Sequence, residues 1–110
     1  MAAKFELYED KAGECRFRLK TPNGQNILSS EGYSSKSAAM NGIESVQKNA
    51  SDRPRFEIKE SKSGKPYFVL KAANHQVIGQ SEMYESKVAC GSGLASVMNH
   101  APNATIDDKT

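Results

Sequence analysis

Cysteine, histidine and paired carboxylates are the side chains of this sequence that could carry catalysis or hold a metal. The chain has Cys15, Cys90, His75 and His100. A thiolate nucleophile needs a base within hydrogen-bond reach. Cys90 and His100 fall on one predicted helix, and the intervening turns separate them by about 15 Å. They therefore form no nucleophile–base pair. Neither cysteine has a CxxC neighbour, and their repeat-equivalent positions are Pro66 and Ala39. Both read as reduced, buried small hydrophobes. His75 reads as an exposed turn residue. His100 reads as a helix-end residue, where positive charge is favoured. Glu9-Asp10 and Asp107-Asp108 lack the spacing of a metal-binding loop. The sequence contains no P-loop, GxGxxG or GxSxG. It predicts no catalytic residue, no metal site and no cofactor.

The remaining chemistry is that of a surface. Arg16, Arg18 and Lys20 alternate with Cys15, Phe17 and Leu19. If the apolar set points inward, the basic set points outward. Tyr67, Val69 and Lys71 hold the equivalent outward positions further along, and Leu28 and Val77 are expected beside them. Cations next to an exposed aromatic can hold phosphates and stack bases. The same pattern also suits the polar outer face of an antiparallel sheet, and Glu6 and Glu57 dilute its charge. The candidate binding surface is Arg16, Arg18, Lys20, Tyr67 and Lys71. Its expected partner is a protein or peptide. Nucleic acid is the alternative, and an enzyme of unknown class is the reading with the least support.

Elements that could position such a surface occur twice. Residues 5–50 align without a gap on residues 56–101, Phe5 falling on Phe56. About 21 of roughly 46 pairs are identical, which implies a duplicated unit. In each unit an alternating strand (5–9; 56–60) leads through a glycine turn at Gly13 or Gly64 into a second strand (15–20; 66–71). Pro22-Asn23-Gly24 is a strong turn signal. Asn74-His75 replaces Asn-Gly in the second unit, and Asn74 is expected to take the left-handed conformation there. A weaker third strand follows (26–31; 77–82).

A helix closes each unit, with Ser34-Ser35 and Glu85-Ser86 supplying hydroxyls at its start. Ala39, Ile43, Val46 and Ala50 make one apolar helical face, and Cys90, Leu94, Val97 and Ala101 repeat it. Gly42 and Gly93 sit inside these helices at a cost of about 1 kcal/mol each relative to alanine. Retention in both copies predicts a close approach by another element. The repeated polar set Lys20/Lys71, Asn23/Asn74, Gln25/Gln76, Glu31/Glu82, Tyr33/Tyr84 and Lys36/Lys87 would either form two equivalent ligand sites or tie turns and caps to the sheet. The second reading is preferred, because asparagine belongs in turns.

No Gly/Ser linker parts the units, so they are expected to fuse into a single domain spanning 1–110. Repeat one covers about 5–50 and repeat two about 56–101, with a short C-terminal strand at about 104–108. The fold class is α+β: two tandem βββα(β) repeats build one shared antiparallel sheet with two helices on one face. One βββα unit has a thin core and open edges, which two units can remedy together.

The chain has 110 residues, a net charge of +2 and 25% charged residues. That balance falls short of a strong nucleic-acid signature. No apolar run reaches about 18 residues, so no membrane span is expected. The start, MAAKFELYED, has no apolar signal region. A monomeric, cytoplasmic protein is expected.

The doubled pattern GxxxFxLKxxNxQxI…SExYxSKxxAxxGIxSV resembles the YegP-like family of small uncharacterised bacterial proteins. Residues 13–20 (Gly13 to Lys20), Asn23, Gln25, residues 30–36 (Ser30 to Lys36) and 42–46 (Gly42 to Val46) carry it in the first copy. The second copy departs at Leu94, which replaces the isoleucine. The resemblance implies tandem βββαβ units in a common antiparallel sheet, with terminal strands exchanged between units. It implies an internal pseudo-dimer and brings no activity, cofactor or catalytic residue.

Overall fold

The computed structural model describes residues 3–110. Alternating apolar residues build seven strands: β1 Lys4–Glu9, β2 Cys15–Lys20, β3 Asn26–Ser29, β4 Phe56–Glu60, β5 Pro66–Lys71, β6 Val77–Gln80 and β7 Thr105–Asp108. Two helices, α1 Lys36–Asn49 and α2 Lys87–His100, follow the third strand of each repeat. Their N-caps are Ser35 and Ser86, whose hydroxyls accept from the Ala38 and Ala89 amides at 3.1 Å. The expected stripes, Ala39/Ile43/Val46/Ala50 and Cys90/Leu94/Val97/Ala101, are buried throughout.

The strands form one sheet in the order β4-β5-β6-β3-β2-β1-β7. Each repeat is an antiparallel meander, and the two meet where β3 pairs with β6, through Ser29 opposite Gln80. The fold is the α+β double repeat expected, with one parallel pair at its margin: β7 runs parallel to β1, placing Ile106 beside Phe5 and Asp108 beside Leu7. The last strand of repeat two thus completes the edge of repeat one. Gln47 anchors its start, donating from Nε2 to the Ala104 carbonyl at 3.1 Å.

One hydrophobic cluster runs under both repeats, including Phe5, Phe17, Ile43 and Val46 from the first and Phe68, Leu70, Leu94 and Val97 from the second. Helix α1 packs on β2 and also on β5 and β6, while α2 packs on β5 and on β3. Each helix therefore spans the seam.

Two local expectations need correction. Leu28 is buried, with 1% exposure, not outward. The register slips between Leu19 and Lys20, so that Leu19 faces Leu28 while Lys20 faces Asn26. The extra residue, Ile27, turns both apolar side chains inward, as a β-bulge does. In the turn between β5 and β6 the left-handed residue is His75, at φ 69°, not Asn74. His75 occupies the place of Gly24, which has φ 87°. Asn74 instead accepts the Gln76 amide on its side-chain oxygen at 3.1 Å.

Gly42 and Gly93 make the close approach that their retention predicts, and a tyrosine is what approaches. A Cβ on Gly42 would lie 2.6 Å from the Tyr33 hydroxyl and 2.9 Å from Cε2 of Phe17. A Cβ on Gly93 would likewise collide with the Tyr84 hydroxyl. Tyr33 stacks on Phe17 at 6.1 Å and Tyr84 on Phe68 at 6.2 Å, so each ring is wedged between sheet and helix. Burial pushes both phenol groups above their ordinary pKa.

Candidate functional site: the outer sheet face and the β4 edge

Strand alternation turns the basic residues to the face away from the helices, where carboxylates meet most of them. Arg16 donates from Nε to Asp10 at 2.6 Å, and this bond holds the Asp10 carboxyl below its usual range. Arg18 donates to Glu6 at 2.9 Å and lies over the Tyr8 ring, 4.3 Å from its centroid. Lys20 reaches the same Glu6 oxygen at 3.4 Å, and Lys109 lies 3.9 Å from the other. Glu6 is 5% exposed. Burial alone would raise its carboxyl pKa, but the Arg18 and Lys20 hydrogen bonds outweigh that and lower it. In the second repeat Lys71 pairs with Glu57. Tyr67 is half-buried opposite Lys59. Val69, with 3% exposure, is covered by its neighbours. The five candidate residues share one face, and four of them are cations engaged by acidic partners.

Several of the repeated polar residues are engaged within the fold. Lys20 and Lys71 pair with Glu6 and Glu57, themselves repeat equivalents. Ser30 and Ser81, which open the SExYxSK part of the doubled pattern, have a role that the sequence analysis did not assign. Each hydroxyl accepts from a strand amide (Phe17 or Phe68, both 2.9 Å) and donates to the next carbonyl (Glu31 or Glu82, both 2.8 Å). Their identity across the repeat was the available signal.

Over the seam lies a shallow cleft of about 350 Å³, lined by Arg16, Ser30 and Glu31 from one repeat and Gln80, Ser81 and Glu82 from the other. Among the described residues no three His, Cys, Asp or Glu side chains converge to hold a metal ion. Cys15 and Cys90 are buried free thiols, and burial raises the pKa of Cys90. Among the described residues no helix is long and apolar enough to cross a membrane.

The first strands of the two repeats differ sharply in what lies beyond them. At β1, Leu7 is fully buried and the Leu7 carbonyl accepts the Lys109 amide at 2.7 Å. At β4 the equivalent Ile58 is 45% exposed, and among the described residues β4 pairs only with β5. The matching registers, Phe5 opposite Leu19 and Phe56 opposite Leu70, place both strands in the same phase. Hence Ile58 turns its amide and carbonyl toward the vacant side, as Leu7 turns toward β7. The repeat offset explains the vacancy. The counterpart of β7 is segment 54–57, which overlaps β4 itself. One stretch cannot fill two lanes, so among the described residues the lane beyond β4 stays empty.

The family described as "Domain of unknown function (DUF1508)" matches this chain twice, over residues 10–57 and 61–108. The chain belongs to this family. The first match stops at residue 57, inside β4, and the second at 108, the end of β7 beside β1. Among relatives, the "UPF0339 protein in ptx operon 5'region" of Stutzerimonas stutzeri is 56% identical, with 96% of each chain covered. The "UPF0339 protein YegP" of Yersinia pestis is 49% identical over 96% of this chain and 95% of its own. The solution structure of the E. coli protein of unknown function yegP superposes with a TM-score of 0.94 at 45% identity, covering 100% of this chain and 95% of that one. A UPF0339 protein from Shewanella oneidensis gives 0.91 at 48% identity, covering 98% and 92%. The similarity thus extends over both repeats and the C-terminal strand.

Proposed function

We propose that this DUF1508 protein is a non-enzymatic binding module, a cytoplasmic monomer that takes up an extended segment of a partner protein along β4. The observation that carries this reading is the empty lane. An exposed strand edge offers unpaired amides and carbonyls to a further strand, and main-chain hydrogen bonds of that kind are a general mode of peptide capture. Ile58 supplies apolar surface beside them, 45% exposed where its equivalent Leu7 is covered. Proline at position 58 removes the outward amide and leaves the pairing with β5 in place. Native lysate passed over the immobilised protein and over Ile58→Pro tests the proposal. Partners that depend on the edge bind the first and not the second, and nuclease treatment leaves them bound. Equal capture by both overturns it.

Nucleic-acid binding through Arg16, Arg18, Lys20, Tyr67 and Lys71 is the weaker reading, because carboxylates already engage these cations. It requires salt-sensitive retention on DNA or RNA, abolished by Arg16→Glu combined with Arg18→Glu.

A further inference from the structure

The molecule contains its own template for what fits the empty lane. Strand β7 runs parallel along β1, presenting Ile106, Asp107 and Asp108 beside Phe5, Glu6 and Leu7. Two of its contacts are electrostatic. Asp108 pairs with Lys36, in the first turn of α1, and Asp107 pairs with Lys4 at 3.4 Å. Both lysines have cationic counterparts at the β4 margin. The equivalent of Lys36 is Lys87, in the first turn of α2, which is exposed and has no ion-pair partner among the described residues. The equivalent of Lys4 is Arg55, whose ion-pair partner among the described residues is Asp52, three residues away, at 3.3 Å. Lys59 adds a third cation on the strand itself. Of the two carboxylates on β4, Glu57 is engaged by Lys71, and Glu60 is exposed at the strand's end, as its equivalent Glu9 is on β1. Apolar cover is missing at Ile58, and Val88 beside Lys87 is 81% exposed.

We infer that the β4 lane is a docking site for an acidic extended peptide of another protein. The peptide lies parallel to β4 with an apolar residue followed by two carboxylates, the second carboxylate meeting Lys87. This inference rests on the strand-uptake reading above and adds orientation and charge to it. The amides and carbonyls of β4 give the affinity common to any strand. The cations Arg55, Lys59 and Lys87 select for carboxylates, and like charge there is penalised.

The test titrates the isotope-labelled full chain with a capped synthetic peptide of sequence Asn-Ala-Thr-Ile-Asp-Asp-Lys-Thr, a copy of residues 103–110. A second peptide carries lysine at both aspartate positions. Expected are amide shift changes over residues 55–60 and at Lys87 and Val88, with affinity for the acidic peptide reduced about fivefold by Lys87→Glu. Ile58→Pro, checked for native dispersion of its spectrum, removes the response, and Ile58→Glu, which replaces the apolar contact by like charge, serves if that variant does not fold. If the lysine peptide binds β4 as well as the acidic one, the charge selection is overturned and strand uptake stands. If neither peptide perturbs β4 at millimolar concentration, both fall. Shifts confined to β1 and β7 would mean exchange with the native strand, and overturn the assignment of the lane. Concentration-dependent changes at β4 without peptide would make a second copy the occupant, and overturn it too.

Discussion

Leu28 and Gly79 hold equivalent positions in the two repeats, and the side chain of one fills the space that the other lacks. A Cβ on Gly79 would lie 2.7 Å from Cδ2 of Leu28. The pseudo-twofold relation between the halves is therefore broken where they touch: the seam has room for one leucine. Gly79→Leu forces a second large side chain into a filled space and should destabilise the protein by about 1–3 kcal/mol. Leu28→Gly leaves a cavity and should cost about 3 kcal/mol or more. The swapped double variant restores one large and one small residue, so its loss should be less than the sum of the two. Urea denaturation of all three decides the matter, and strict additivity would count against a shared seam cavity.

The wedge formed by Tyr33 makes a glycine worth more than an alanine inside α1. Helix propensity alone favours Gly42→Ala by about 1 kcal/mol. The overlap with the Tyr33 hydroxyl and the Phe17 ring opposes it. We expect a net destabilisation of about 1–2 kcal/mol, read as a lower melting temperature. A stabilised Gly42→Ala protein would mean that the ring yields freely.

His75 is exposed and is the non-glycine residue with positive φ among the described residues. Left-handed backbone costs a residue with a Cβ roughly 1 kcal/mol. His75→Gly restores the residue type of repeat one and should raise stability by up to about 1 kcal/mol, partly offset by the greater freedom of glycine in the unfolded chain. Gly24→Ala in the first repeat should move stability the other way. Thermal unfolding of the two variants gives opposite signs if backbone conformation governs both turns.

Much of this architecture was legible in the residues because periodicity and repetition report directly on burial. The stripes through Ile43, Val46, Leu94 and Val97 and the alternation around Phe17 and Phe68 gave the elements, and the gapless alignment gave the double unit. The rest depends on contacts between elements. The bulge at Ile27 is set by how β2 and β3 pair, so strict alternation misplaced Leu28. The turn keeps the geometry of Gly24, so His75 takes the strained conformation although Asn74 tolerates it better. On the outer face the basic side chains were visible, but their carboxylate partners were only partly so. Glu6 was seen as a diluting charge, while the Asp10 pairing with Arg16 depends on the turn that brings it back. The empty lane beyond β4 could have been counted from the repeat offset, since 54–57 must serve both as the end of one unit and the start of the next.

Glu6 holds together the outer face at the edge of repeat one. It is almost buried, and Arg18, Lys20 and Lys109 all approach its carboxylate. Glu6→Gln leaves those cations facing one another without a counter-charge and should cost about 2 kcal/mol. In a background carrying Arg18→Met the same substitution should cost less, because one uncompensated cation is already gone. Equal losses in both backgrounds would show that Arg18 and Glu6 are not coupled.

Strand β7 should be the part of the sheet most sensitive to acid. Asp108 carries hydrogen bonds from Lys36 and from Thr110, and these lower its carboxyl pKa from 3.8 to about 2. A carboxyl that binds its proton less readily when folded stabilises the fold fully above its unfolded value. That contribution fades as pH falls from about 3.8 toward about 2. The amides of residues 105–108 should therefore lose protection from exchange in that window ahead of those in β2 and β5. Lys36→Met removes the leading cause of the shift, so Asp108 should titrate nearer its ordinary value and β7 should loosen at a higher pH. Carboxyl titration by NMR measures both. An Asp108 that titrates alike with and without Lys36 would show that the Lys36 contact does not hold β7, and it would also remove the template for an acidic strand beside Lys87.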